Sequence, residues 1–186
     1  MRTLFLQAPS FDGFDGGAGS RYQAKREIKS FWYPTWLAQP AALVENSRLI
    51  DAPPHKTGLA EVVAQAKDFD LVVAHTSVPS FASDVKVIEA LKAANPNLKA
   101  GLIGAKVAVN AEGSLKDGAA IDFVARNEFD FTIKEVADGH DWSQIKGLSF
   151  RNNSGVIVHN EDRAILHDMD SLPFVTPVYK RDLVME

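Results

Sequence analysis

The feature that most restricts this chain is a repeated alternation of short apolar runs with stretches of helical periodicity. Leu4-Phe5-Leu6 is a brief apolar run closed by Ala8-Pro9, and Asp70-Leu71-Val72-Val73-Ala74 has the unbroken apolar character of a central parallel strand. Arg48 to Asp51, Leu98 to Ile103 and Ile121 to Ala125 supply three further strands. Between them, Trp36 to Val44 reads as a helix with Pro40 in its early turns. Thr57 is placed to cap a helix through Val62, Val63 and Ala66. Pro79 to Ala94 carries Val85, Ile88 and Leu91 at helical spacing and stops at Asn95-Pro96-Asn97. A short helix or loop precedes the fifth strand.

This alternation implies right-handed crossovers and a parallel sheet covered on both faces. The expected fold is a Rossmann-like (flavodoxin-like) doubly wound α/β sheet of about five strands. The last third changes character. Gly147 to Arg151 and Val156 to His159, joined by Asn152-Asn153-Ser154-Gly155, read as a β-hairpin, and Asp168 to Pro177 as an extended linker. The expected organisation is therefore a ligand-binding domain over residues 1–140, a hairpin extension over 141–167 and a linker over 168–186.

Composition narrows the chemistry. A formal charge of −4 offers no broad attraction to phosphate backbones, so neither nucleic acid nor a polybasic membrane contact is expected. The absence of cysteine excludes disulfides, thiolate zinc sites and an iron–sulfur cluster within these residues. No stretch approaches the roughly 18 apolar residues of a transmembrane segment, and the expected location is cytoplasmic.

Ligands of open parallel sheets bind beyond the carboxyl ends of the strands, where strand order reverses. The loops that reach this end run from Pro9 to Tyr33, His75 to Pro79, Gly104 to Asn110 and Arg126 to Asp130. Gly13, Gly16, Gly17 and Gly19 allow close backbone approach to a planar ligand or a phosphate, or simply form a glycine-rich loop; they do not make the G-x-G-x-x-G pattern. His75 either ligates a metal or caps the end of its strand, and Thr76 and Ser77 offer hydroxyls. Glu128 and Asp130 either bind hydroxyls of a ligand or begin a helix, where its dipole favours acids. His55, His140, His159 and His167 have no metal-ligand spacing and are expected at the surface. The aromatic stretch Phe31-Trp32-Tyr33-Pro34-Thr35-Trp36 is either a wall of an apolar site or a packing surface.

Several late segments carry a family resemblance. Phe123 to Val136 is similar to the strand followed by R-G-E-x-E-x-T-I-x-E-L in the cobalamin-binding N-terminal domain of B12-dependent radical S-adenosylmethionine enzymes. Ile145 to Arg151 with Gly155 to Val158 resembles that family's hairpin, and Asp168-Met169-Asp170-Ser171-Leu172-Pro173-Phe174 its D-L-D-x-L-P entry to the radical domain. Phe11 to Ala24 and Phe31 to Leu37 look most like the hopanoid-biosynthesis-associated member.

The resemblance implies that the chain binds cobalamin and presents it to a downstream radical domain, which would hold the [4Fe–4S] cluster and S-adenosylmethionine. A hopanoid lipid would be the substrate of the full-length enzyme, whose association with a membrane is left open. Without cluster cysteines these residues alone are expected to be inactive, and they are expected to be the front portion of a larger enzyme. The implied cofactor contacts are Ser10, Phe11, Asp12, Phe14, Gly16 and Gly17 in the first loop, and His75, Thr76, Ser77 and Val78 after the third strand. Gly104, Ala105, Lys106 and Val107 follow the fourth, and Asn127 and Glu128 the fifth.

The chain departs from the family in two places. Cobalamin modules that replace the lower axial base use D-x-H-x-x-G; here the matching positions are Asp12, Phe14 and Gly17, and phenylalanine cannot ligate cobalt. Asn127 stands where the family has glycine. Two other classes stay open: a nucleotide- or nucleotide-sugar-binding enzyme, which needs a phosphate loop at Gly13 to Gly19, and a receiver-like interaction module. The latter needs an acid at the end of the third strand, where the chain has Ala74 and His75.

Overall fold

The structure is a computed structural model and describes residues 1–9 and 33–183. In chain order the elements are β1 (Thr3–Gln7), α1 (Thr35–Leu43), β2 (Ser47–Asp51), α2 (Ala52–His55), α3 (Leu59–Ala66), β3 (Leu71–His75) and α4 (Phe81–Ala94). There follow β4 (Lys99–Ile103), α5 (Ala105–Val109), α6 (Ala111–Asp117), β5 (Phe123–Ala125), α7 (Phe129–Asp138), β6 (Leu148–Arg151), β7 (Ile157–His159) and α8 (Thr176–Asp182).

The strands form one 7-stranded sheet in the order β2-β1-β3-β4-β5-β6-β7. Strands β1 to β5 are parallel, whereas β6 and β7 pair antiparallel. The parallel part is the doubly wound, Rossmann-like arrangement expected from the sequence, and the hairpin continues the same sheet through its pairing with β5.

Strand periodicity builds two cores. Leu4, Leu6, Val72, Ala74, Leu102 and Val124 meet α2 to α6 on one face. Phe5, Leu71, Val73, Ile103, Phe123 and Ala125 meet α1, α7 and α8 on the other. Gly101 lies beside Phe123 in the sheet, and a Cβ there would come within 2.1 Å of the Phe123 ring. The strand accepts a glycine because its neighbour's aromatic ring fills the space.

Three expectations need correction. Thr57 does not cap α3; Gly58 holds the cap position in extended geometry, with no side-chain cap bond. Pro40 lies past the middle of α1, removing the N–H that would bond the Trp36 carbonyl. The stretch expected to be an extended linker contains a 3-10 turn at Met169–Ser171 and runs into α8. That helix docks against β2, an edge strand, where the Asp182 carboxylate accepts a hydrogen bond from the Leu49 N–H at 2.8 Å. Arg48 and Arg181 flank the same carboxylate, at 3.3 and 2.7 Å. Tyr179 stacks on Tyr33 at 4.5 Å and its hydroxyl lies 2.9 Å from Thr35 Oγ1. The free edge is thereby partly covered.

Candidate functional site

The chain leaves β1 toward β2 on one side, then passes back to β3 and onward to β4 and β5 on the other. Strand order therefore reverses between β1 and β3. Gln7, Asp51, His75 and Ile103 stand level at the carboxyl ends of their strands. This is the crevice where an open α/β sheet takes its ligand.

His75 closes β3 on the face occupied by α1 and α7, because it follows Leu71 and Val73 at strand spacing. Its ring packs on Trp36, with centroids 4.9 Å apart and planes tilted by 41°. Burial pulls the imidazole down from its ordinary 6.5 to about 4, so it is uncharged at neutral pH. Its Nδ1 has no hydrogen-bond partner among the described residues, so capping does not explain its position. No group of three or more His, Cys, Asp or Glu able to hold an ion gathers among the described residues.

Gly104 lies beside this histidine. A Cβ at Gly104 would stand 2.2 Å from the Thr76 carbonyl oxygen and 3.3 Å from His75 Nε2, and its φ of +123° is itself costly for any side chain. The loops after β3 and β4 thus approach each other backbone to ring, and only glycine permits it.

Thr76 points to the opposite face. Its Oγ1 donates to Asp84 Oδ2 at 2.7 Å. Asp84 is 3% exposed, and burial raises its carboxyl to about 6 against the opposing pull of hydrogen bonds from Thr76 and Ser80. Ser77 Oγ lies 2.8 Å from Ser80 Oγ, whose oxygen also accepts the Ser77 N–H. These hydroxyls are engaged in fastening the start of α4. Val78 is exposed.

Ala105 is exposed, whereas Val107 is fully buried in the core beneath α5, so its side chain is withdrawn from any ligand. Lys106 lays its Nζ over the Phe81 ring at 4.0 Å and reaches Ser114 Oγ at 3.4 Å.

Beyond β5, Asn127 has φ +49°. Asparagine is the side chain that best tolerates this left-handed geometry, which explains how it stands at a position where a glycine is expected. Arg126 fixes the loop from behind: its guanidinium donates to Asp162 Oδ1 at 2.8 and 3.1 Å, to the Asn160 carbonyl at 2.6 Å and to Ser149 Oγ. Glu128 occupies the cap position of α7 without a side-chain cap bond. Asp130 sits in the first turn, the helix-start role considered from the sequence. Burial first, and then the charge of Glu128, raises its carboxyl to about 6. Its Oδ1 is buried with no partner among the described residues, and so is Trp36 Nε1.

Ser10, Phe11, Asp12, Phe14, Gly16 and Gly17 lie outside the described residues. His55, His140, His159 and His167 are exposed, as expected. The sequence leaves Asp130 open as a binder of ligand hydroxyls or a helix start, and Trp36 as part of an apolar wall or a packing surface, and places neither among the implied cofactor contacts. Their signals were an aromatic cluster and an acid at a helix start, both of which packing and capping explain equally well. A separate cavity of about 450 Å³ opens at the other end of the sheet, lined in part by Lys99, Asp122, Trp142 and Arg151. There the Asp122 carboxylate is already held by Lys92 at 2.6 and 2.7 Å and by the Ala100 N–H.

No protein-family model matches the chain. It is 26% identical over 158 residues to an uncharacterized methyltransferase of Pyrococcus horikoshii, a match covering 80% of this chain and 34% of that protein. The cobalamin-dependent S-adenosylmethionine radical enzyme OxsB, with aqua-cobalamin and S-adenosylmethionine bound, superposes with a TM-score of 0.64 at 12% identity. The match covers 89% of this chain and 23% of OxsB. OxsB with aqua-cobalamin alone gives 0.63 over the same shares. At this identity the likeness is one of fold. The chain spans about a third of its curated relative and under a quarter of OxsB.

Proposed function

We propose that this chain holds cobalamin at the carboxyl end of its sheet and presents it to the radical chemistry of a cobalamin-dependent S-adenosylmethionine enzyme. The observation that carries this reading is the crevice itself: His75 Nδ1, Trp36 Nε1 and Asp130 Oδ1 are buried without hydrogen-bond partners among the described residues, and Gly104 opens the backbone beside His75 between β3 and β4. Unpartnered buried polar atoms are rare in native proteins because each loses its hydration. A ligand rich in hydrogen-bonding groups restores what they lack, and a corrinoid is one. The shared fold with OxsB supports the same reading.

The residues fit such a group in distinct ways. Gly104 gives it close backbone approach, Trp36 and His75 offer an aromatic wall, and Asn127 holds the fifth loop in a left-handed turn. Uncharged His75 adds no positive charge beside the ligand. When bound, cobalamin supplies the cobalt-centred chemistry that side chains cannot perform. The downstream domain, its [4Fe–4S] cluster and a hopanoid substrate belong to the proposal through the sequence resemblance.

The test is direct. Protein mixed with hydroxocobalamin and desalted should retain stoichiometric corrin absorbance, and Gly104→Ala should abolish retention. Folded wild-type protein that emerges without corrin absorbance would overturn the reading.

A further inference from the structure

The three unpartnered atoms differ in what they can recognise. Trp36 Nε1 can only donate a hydrogen bond, while an ionised Asp130 can only accept. Trp36 lies in the first turn of α1 and Asp130 in the first turn of α7. These helices pack side by side on one face of the sheet, and both begin beyond the carboxyl ends of parallel strands. A donor and an acceptor are thus left without partners among the described residues at the same end of the same layer. Thr76, Ser77 and Lys106 are engaged elsewhere and do not satisfy them.

We infer that Trp36 and Asp130 read the carboxamide edge of a corrinoid, and so select corrinoids bearing neutral amide side chains over those bearing free carboxylates. The inference rests on the corrinoid reading above. A primary carboxamide carries a carbonyl to accept from the indole and an NH₂ to donate to the carboxylate. Acetamide and propionamide groups ring the corrin, so one amide or two neighbouring amides complete the pair. A carboxylate has no donor for Asp130 and adds a negative charge beside both Asp130 and Glu128, which already interact unfavourably. No Lys or Arg forms an ion pair with Asp130 or Glu128 among the described residues, so no described ion pair compensates a third anion. The uncharged His75 adds no compensation either. A buried site built to pair polar groups rejects an analogue that leaves them unpaired.

The experiment compares two corrinoids on the whole chain by equilibrium dialysis: dicyanocobinamide, whose side chains are amides, and dicyanocobyrinic acid, whose side chains are carboxylates. Both are measured in high salt, which screens the general repulsion from a chain of net charge −4. Wild type should bind the amide form at least about tenfold more tightly. Asp130→Asn, which can donate, should narrow the ratio by strengthening the carboxylate form, and Trp36→Phe should weaken the amide form. Equal binding of both corrinoids by wild type overturns the inference and leaves the corrinoid reading standing. So does a preference that both variants, shown by circular dichroism to be folded, leave unchanged. Failure of wild type to bind either corrinoid sinks both readings at once.

Discussion

Replacing Asp84 by asparagine should stabilise this protein at neutral pH and change little in acid. Asp84 is 3% exposed on α4, and its carboxyl is held at about 6 instead of its ordinary 3.8 because burial penalises the charge. Between those values the folded chain binds a proton that the unfolded chain has lost, so stability is full below 3.8 and declines as pH rises through 6. A displacement of about two pH units at 1.36 kcal/mol each makes the ionised carboxylate cost about 3 kcal/mol at pH 8. Asparagine cannot ionise, and its carbonyl still accepts from Thr76 Oγ1, which now donates at 2.7 Å. His75 has the opposite sign: burial depresses it to about 4, so its contribution is present above 6.5 and is lost as pH falls toward 4. Asp130, raised to about 6, follows the sign of Asp84. Both groups are common to the two proteins and cancel in their difference. Urea unfolding at pH 4 and pH 8 measures that difference. Asp84→Asn should gain up to about 3 kcal/mol at pH 8 and no more than about 0.6 kcal/mol at pH 4. A gain that does not grow between the two pH values would refute the reasoning.

Substitutions at three further positions test the frame of the fold and the site. Gly104→Ala should cost at least about 2 kcal/mol, because its φ of +123° is strained for alanine and its Cβ would lie 2.2 Å from the Thr76 carbonyl; thermal unfolding reads the loss. Asn127→Gly should be nearly neutral while Asn127→Val costs about 1–2 kcal/mol, since φ of +49° suits glycine and excludes a β-branched side chain; an unchanged melting temperature for valine would deny the left-handed turn. Asp182→Ala should cost about 2 kcal/mol by removing the acceptor for Leu49 N–H, and amide hydrogen exchange at Leu49 should accelerate.

Much of the architecture was legible because it depends on local signals. The unbroken apolar run at Leu71 to Ala74 demands burial on both faces, and Leu4, Leu6, Val72 and Ala74 do face one core while Phe5, Leu71 and Val73 face the other. Asn95-Pro96-Asn97 ends α4, and Asn152 to Gly155 turns the hairpin, with Asn152 Oδ1 accepting from the Ser154 and Val156 amides. Alternation of such elements leaves few topologies other than a doubly wound sheet. The importance of the strand-end loops follows from that fold.

The remainder depends on residues far apart in the chain. The choice of Gly58 over Thr57 as the helix cap is a matter of one position, where local preference is weak. Helix α8 exists because Asp182 meets the edge of β2 and Val178 finds a place in the core, a partnership across more than a hundred residues that no local pattern announces. The same holds at the candidate site. His75 was visible as a histidine at a strand end, but its uncharged state comes from Trp36 and the surrounding core. For Trp36 and Asp130 the sequence offers both a ligand-facing and a packing role, and only the packed structure buries their polar atoms without partners among the described residues. Sequence by itself determined the five parallel strands, the hairpin and helices α1, α3 and α4. Tertiary structure alone decided which side chains at the candidate site remain unsatisfied, because burial and pairing are properties of the assembled layers.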